Sequence, residues 1–328
     1  MPIVVKENAV AAENMRQVLQ ILSSRVVRAV FSLALIGWLS YQIGTSQIIA
    51  EASKLRWQTL CLVTLLLAAT NILIITPRWA AILAALGFKI GSTALLGSVF
   101  LGFLFNQVLP TAVGGDLLRV WRVRELGVPL ATAIHSVLLD RMSGIFVVFV
   151  GTIVLLPFAR VSILPVEALF VFAIGIPAAC IIGVAIWMMS RVAWVWIGRL
   201  WSAARGLLAS LSAVAHQPWA LMNVLFLSVV GQCIVVATIA LLATELNVHV
   251  SIVDYAVVSF TATLAASVPI SLAGWGVREG AIVLLFQQYG VPAETAFAIS
   301  LLFGTSLMLA ALPGALLLLK RPTSGQNM

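Results

Sequence analysis

Six ionisable residues stand in stretches that are otherwise apolar, and their types and spacing define the chemistry on offer. Asp116 and Arg119 lie in NQVLPTAVGGDLLR (106–119), Asp140 and Arg141 in HSVLLDRMSG (135–144), and Arg278 and Glu279 in SVPISLAGWGVREG (267–280). A guanidinium beside glycine-rich backbone N–H groups at a helix start suits an anion, a phosphate oxygen above all. A carboxylate in the same place either neutralises the arginine or carries a proton. Residues three apart share a helical face, so Asp116 and Arg119 are expected to pair. Asp140 and Arg141 are adjacent and diverge by about 100°, so each needs a partner of its own. The candidate substrate contacts are therefore Arg119, Arg141 and Arg278, with Thr111, Gly114, Gly115, Ser271, Gly274 and Gly276. Asp116, Asp140 and Glu279 are candidates for coupling or charge pairing. Ser136, Asp140, Ser143 and Gly144 line up on one small polar face, which fits interhelical hydrogen bonds as well as it fits a ligand.

The chain offers no HExxH, GxSxG or GxxxxGK[ST] run, and its acidic residues do not cluster as a metal would need. Catalytic residues, metals and cofactors are not assigned, and the chain is read as not an enzyme. Two alternatives stay open: an intramembrane enzyme acting on a lipid-linked substrate, and a structural or regulatory partner whose buried charges only hold helices together. Cys61, Cys180 and Cys233 are read as small core residues, and His135 as an interfacial histidine.

The elements that must position these residues are membrane helices. Hydrophobic residues make up 62% of the 328 positions and charged residues 9%, with mean hydropathy +1.12. Soluble domains carry roughly 25% charged residues, so the chain is read as an all-α polytopic membrane protein. The net charge of +8 is spread over loops and marks topology, so no nucleic-acid partner is expected. A spanning helix needs about 20 apolar residues. Stretches 29–50, 58–76, 131–157, 166–189, 219–243 and 295–319 qualify. Segments 92–109 and 252–268 instead end at Pro110 and Pro269, each followed by glycines and a shorter charged helix. Irregular backbone in a bilayer must be enclosed by protein or a water-filled cavity, so both segments are read as re-entrant hairpins. Trp187, Trp194, Trp196 and Trp201, mixed with Arg191, Arg199 and Arg205, read as an interfacial belt with an amphipathic helix on the inner leaflet.

With six full spans, two hairpins and an inner N-terminus, most of the 19 lysines and arginines fall on the cytoplasmic side, Arg78 among them. Lys54, Arg56 and Arg160 fall outside, and Arg141 and Arg278 lie at membrane depth. PTAVGGDLLR (110–119) aligns with PISLAGWGVR (269–278) through Pro110/Pro269, Gly115/Gly274 and Arg119/Arg278. The order span, span, hairpin, span occurs twice, in repeats at about 29–157 and 166–319. Three full spans in each half invert the second half relative to the first. Inverted repeats whose broken helices meet near the midplane are the plan of many secondary transporters. Residues 1–28 and 321–328 are expected to be cytoplasmic tails around the membrane domain 29–320. No cleaved signal peptide is expected. A homo-oligomer stays open.

The motifs LPT-x-x-GGD-x-x-R, DR-x-x-G and P-x-S-x-x-G-x-G-x-RE, in this order, resemble those of the lysylphosphatidylglycerol synthase transmembrane-region family, also called the flippase-like domain family. The resemblance covers roughly residues 15–320. It includes the membrane half of the bacterial multiple peptide resistance factor and stand-alone relatives, some linked to hopanoid lipid genes. It implies movement of a phospholipid or related lipid between leaflets of the bacterial cytoplasmic membrane, with Asp116, Arg119, Asp140, Arg141, Arg278 and Glu279 at the matching polar positions and membrane lipids as partners. The two-domain members carry an aminoacyl-transferase domain after the membrane part. None follows Met328 here, so lipid aminoacylation is not expected of this chain.

Overall fold

The computed structural model describes residues 25–108, 114–160, 194–267 and 274–319. All the regular elements among them are helical. In chain order they are α1 (Arg25–Ile43), α2 (Thr45–Ala52), α3 (Trp57–Thr70), α4 (Thr76–Ala85), α5 (Ser92–Val108), α6 (Gly114–Glu125), α7 (Leu130–Leu155), α8 (Trp194–Ala215), α9 (Pro218–Glu245), α10 (Ile252–Ser267), α11 (Val277–Gln287) and α12 (Ala293–Leu319). Four helices are long and apolar enough to cross a membrane: Trp57–Ala85, Leu130–Phe158, Pro218–Glu245 and Ala293–Leu317. Helices α5 and α10, with 17 and 16 residues, are apolar but shorter.

Two expected spans differ in the structure, and a third lies outside the described residues. Stretch 29–50 is not one helix: Gly44, at φ +93°, separates α1 from α2. Only glycine reaches that backbone region cheaply. Stretch 58–76 does not end near Pro77. A π-turn over Asn71–Ile75 joins α3 to α4, and Pro77 sits in the first turn of α4, where its missing N–H costs nothing. The helix therefore runs on to Ala85 and takes Arg78 with it. Arg78 is thus a nearly buried residue of a long span, not the cytoplasmic loop charge expected from its neighbours. Stretch 166–189 falls outside the described residues.

The helices of the two halves pack in matching ways. α5 lies on α6 as α10 lies on α11; α6 meets α7 as α11 meets α12; α5 meets α12 as α10 meets α7. The last two contacts both run through glycine. A Cβ on Gly314 would come within 2.4 Å of the Phe100 carbonyl oxygen, and one on Gly151 within 2.6 Å of the Phe260 ring. The spans α3–α4 and α9, which correspond at nearly the repeat offset, meet antiparallel. Thr59 Oγ1 donates to Glu245 at one end, and Gln217 Nε2 donates to the Ala85 carbonyl at the other.

The main core, from Ile48 to Ala310, draws on α2, α3, α7, α9, α10, α11 and α12. A second, smaller core around Trp79, Leu95, Val99, Val120, Val123 and Val137 seats the first short-helix pair against α4 and α7. Cys61 and Cys233 lie on the outer surface rather than in a core. An apolar side chain facing lipid has the same hydropathy as one facing protein, so composition does not separate the two.

Candidate functional site

Helix α6 begins in a tight contact. A Cβ on Gly115 would lie 1.9 Å from the Gly102 carbonyl oxygen of α5, so α5 and α6 touch backbone to backbone. The Gly115 N–H donates to Asn106 Oδ1 at 2.9 Å. Gly115 therefore closes the pair of helices, and its N–H is already engaged rather than open to an anion. Gly114 stands beside it at the start of α6; Thr111 lies outside the described residues. Arg119, one turn on, lays its side chain over Gly102, whose added Cβ would meet Arg119 Cγ at 2.9 Å.

From there the charges form an alternating row. Arg141 Nε donates to Asp116 Oδ2 at 2.6 Å, and Asp116 Oδ1 lies 3.9 Å from Arg119 Nη1. Arg119 Nη2 donates to Asp140 Oδ2 at 2.8 Å, and Arg78 Nε donates to Asp140 Oδ1 at 2.7 Å. The sequence pairing of Asp116 with Arg119 is thus the longest link in the row. The short bonds run across to α7, where Asp140 and Arg141 each have a partner of their own. Side-chain exposure falls from 42% at Arg141 through 13% at Asp116 to 7% at Arg119 and 3% at Asp140.

Neutral groups hold the row in place. Trp79 packs flat against the Arg119 guanidinium, 4.1 Å from its ring centroid, a desolvated cation–π contact of roughly 2 kcal/mol. Trp79 Nε1 donates to Ser136 Oγ at 3.1 Å. Arg78 Nη1 donates to Ser228 Oγ at 3.1 Å, and Ser228 bonds Ser143. The small polar face of α7 predicted from sequence is therefore occupied by α4 and α9. His135 Nδ1 bonds Ser210 Oγ at 2.9 Å, tying the start of α7 to α8. Sequence reasoning missed Arg78, Trp79, Asn106 and Ser228. A signal existed for the first two, since ILIITPRWAAIL keeps its apolar character on both sides of the arginine.

The second arginine site is self-contained. Arg278 Nη2 and Nε both donate to Glu279 Oε1, at 2.5 and 3.1 Å. Glu279, fully buried, takes the Gly276 N–H on its other oxygen, and Ser300 Oγ lies 3.4 Å away. Gly276, at φ +86°, caps α11, so its N–H is also spoken for. Gly274, at φ +80°, packs on Ala266; Ser271 lies outside the described residues. Arg278 sits between Trp275 and Phe303, with Gly304 of α12 making room for its Nη2.

The two sites fall at equal distances from the starts of their helices. Asp116 meets Arg141 about 16 Å along α7, and Arg278 meets Gly304 about 16 Å along α12, at about 1.5 Å per residue.

Residues 25–314 match the family described as the lysylphosphatidylglycerol synthase TM region. The chain belongs to this family. Within the lysylphosphatidylglycerol synthase TM-region family, it is similar to the UPF0104 membrane protein MJ1595 of Methanocaldococcus jannaschii. The two are 22% identical over 251 residues, which cover 70% of this chain and 74% of that protein. No solved structure matches the chain. The family match takes in both arginine sites and every helix that builds them.

Proposed function

We propose that this membrane protein moves an anionic phospholipid, or a related lipid such as a polyprenyl phosphate or a hopanoid, between the leaflets of the cytoplasmic membrane. The observation that carries this reading is the row Arg141, Asp116, Arg119, Asp140, Arg78, which runs from an exposed arginine into a buried interior among apolar helices. Each charge at the centre of a bilayer costs about 2.5–3.5 kcal/mol even on insertion scales, so such groups mark pathways and binding sites. Membership of the lysylphosphatidylglycerol synthase TM-region family supports lipid as the class of cargo.

The architecture we propose has six full spans and two re-entrant hairpins, α5–α6 and α10–α11, in an inverted repeat with both termini inside. Its support is the antiparallel meeting of α3–α4 with α9 and the equal distances, about 16 Å, of the two arginine sites from the starts of α7 and α12, about half the length needed to cross a ~30 Å hydrocarbon layer. The head group meets Arg119 and Arg141 from one hairpin and Arg278 from the other, while the tails stay in lipid. Thr111, Gly114, Gly115, Ser271, Gly274 and Gly276 are the further head-group contacts this scheme assigns. Asp116, Asp140 and Glu279 supply counter-charges, one of which carries a coupling proton. Nothing in this scheme makes or breaks a covalent bond, so the chain acts as a carrier and not an enzyme.

A second reading, in which buried pairs only hold helices together, is favoured at α11 by the one-to-one closure of Arg278 on Glu279. Reconstituted protein separates the two. Scrambling of fluorescent phosphatidylglycerol, phosphatidylethanolamine and a polyprenyl phosphate is measured with and without a proton gradient, for the wild type and for monodisperse Arg119→Ala and Arg278→Ala variants. Head-group-selective flipping lost in both variants supports the carrier. Loss in Arg119→Ala alone assigns α11 to the scaffold, and no flipping of any lipid defeats the proposal.

A further inference from the structure

We propose that Arg78 and Arg119 form a pocket for a phosphate group, and that Asp140 fills it in this conformation as the phosphate's stand-in. The inference rests on the reading that a lipid head group passes this cluster, and it names the residue, Arg78, and the displacement that the passage requires.

The two carboxylate oxygens of Asp140 are divided between two guanidiniums, one donor to each, at 2.7 and 2.8 Å. That is how two arginines grip the non-bridging oxygens of a phosphodiester. A guanidinium offers five donors, and the fork of Arg119 is not used up. Its Nε is buried and has no hydrogen-bond partner. A two-oxygen carboxylate leaves that donor idle, whereas a phosphate has further oxygens to accept from it.

The arginines are also held by groups that would remain if Asp140 withdrew. Trp79, anchored by Ser136, holds the Arg119 guanidinium over its ring. Ser228 fixes Arg78. A pocket whose donors are preset in this way costs little reorganisation when one anion replaces another. The alternating row supplies the approach. Arg141, at its exposed end, is the first guanidinium an anion from outside meets, and Asp116 stands between Arg141 and Arg119. A phosphate advances along the row by exchanging places with carboxylates, so no arginine is left without a counter-charge.

The test is ligand binding to the full-length protein in detergent, by calorimetry, with dihexanoyl phosphatidylglycerol, inorganic phosphate and zwitterionic dihexanoyl phosphatidylcholine as probes. Asp140→Asn removes the competing anion and is expected to bind the phosphatidylglycerol about tenfold tighter, the equivalent of one charged hydrogen bond. Arg119→Lys and Arg78→Lys keep the ion pairs to Asp140 but lose the fork, and each is expected to bind about tenfold more weakly. Because the lysine variants preserve buried charge, they test the pocket even where Asp140→Asn does not fold. Unchanged affinity for all three phosphate-bearing probes in either lysine variant, or in folded Asp140→Asn, overturns the proposal. Variant-dependent binding of the short-chain lipid assigns the pocket to a head group; the same dependence with inorganic phosphate alone assigns it to the free ion. Variant-dependent binding by a protein that scrambles no lipid keeps the pocket and defeats the carrier. Scrambling with no variant-dependent binding does the reverse.

Discussion

Arg119 and Arg278 align in the two glycine-rich stretches of the sequence, yet they solve the problem of a buried charge differently. Arg119 is one station in a row of five charges that ties α6 to α4 and α7 and, through Ser228, to α9. Arg278 closes on its sequence neighbour Glu279 in a box of Trp275, Phe303 and Gly304, all of it on α11, the turn before it and α12. A networked charge makes the position of one helix depend on three others. A closed pair leaves its helix free to move as a unit with its charge already neutralised.

The largest effect expected from this difference comes from removing each pair whole. Arg119→Met with Asp140→Met strands Arg78, while Asp116 keeps Arg141, and is expected to cost about 3–5 kcal/mol in thermal unfolding in detergent. Arg278→Met with Glu279→Met strands no charge and is expected to cost about 1 kcal/mol, chiefly the lost cap on Gly276. Equal costs would erase the distinction between network and closed pair. Next comes the backbone contact: Gly115→Ala forces α5 and α6 apart and is expected to cost about 3 kcal/mol. Gly276→Ala puts a side chain at φ +86°, for about 1–2 kcal/mol, and the same unfolding assay ranks them. The smallest effect is expected far from both sites, where Arg56 meets Glu245 at an exposed end. Arg56→Ala is expected to change stability by less than about 1 kcal/mol, and less again at high salt.

Much of the fold could be read from sequence because a bilayer imposes strong rules. Proline and glycine ending an apolar run, at Pro110 and Pro269, pointed to interrupted segments. The helices α5–α6 and α10–α11 do lie on either side of those two breaks. The charged residues in apolar runs were visible for the same reason. What escaped was how they pair. Spacing within one helix favours Asp116 with Arg119, but the short bonds cross to α7, because the depth to which α6 reaches decides which side chains meet. Arg78 escaped because Pro77 reads as a helix end. The π-turn at Asn71–Ile75 lets the helix pass through it, and only three-dimensional packing reveals that. The glycines were seen, but as donors of free N–H groups. At Gly115 and Gly276 those groups are already taken, and what the missing side chain provides is room and a positive φ.

The antiparallel meeting of α3–α4 with α9 also bears on ancestry. The helices that correspond between the two halves touch along their length in opposite senses, and the contacts of one half are restated in the other. A gene encoding only one half, translated into protein inserted both ways round, would have supplied every interface of this bundle from two copies.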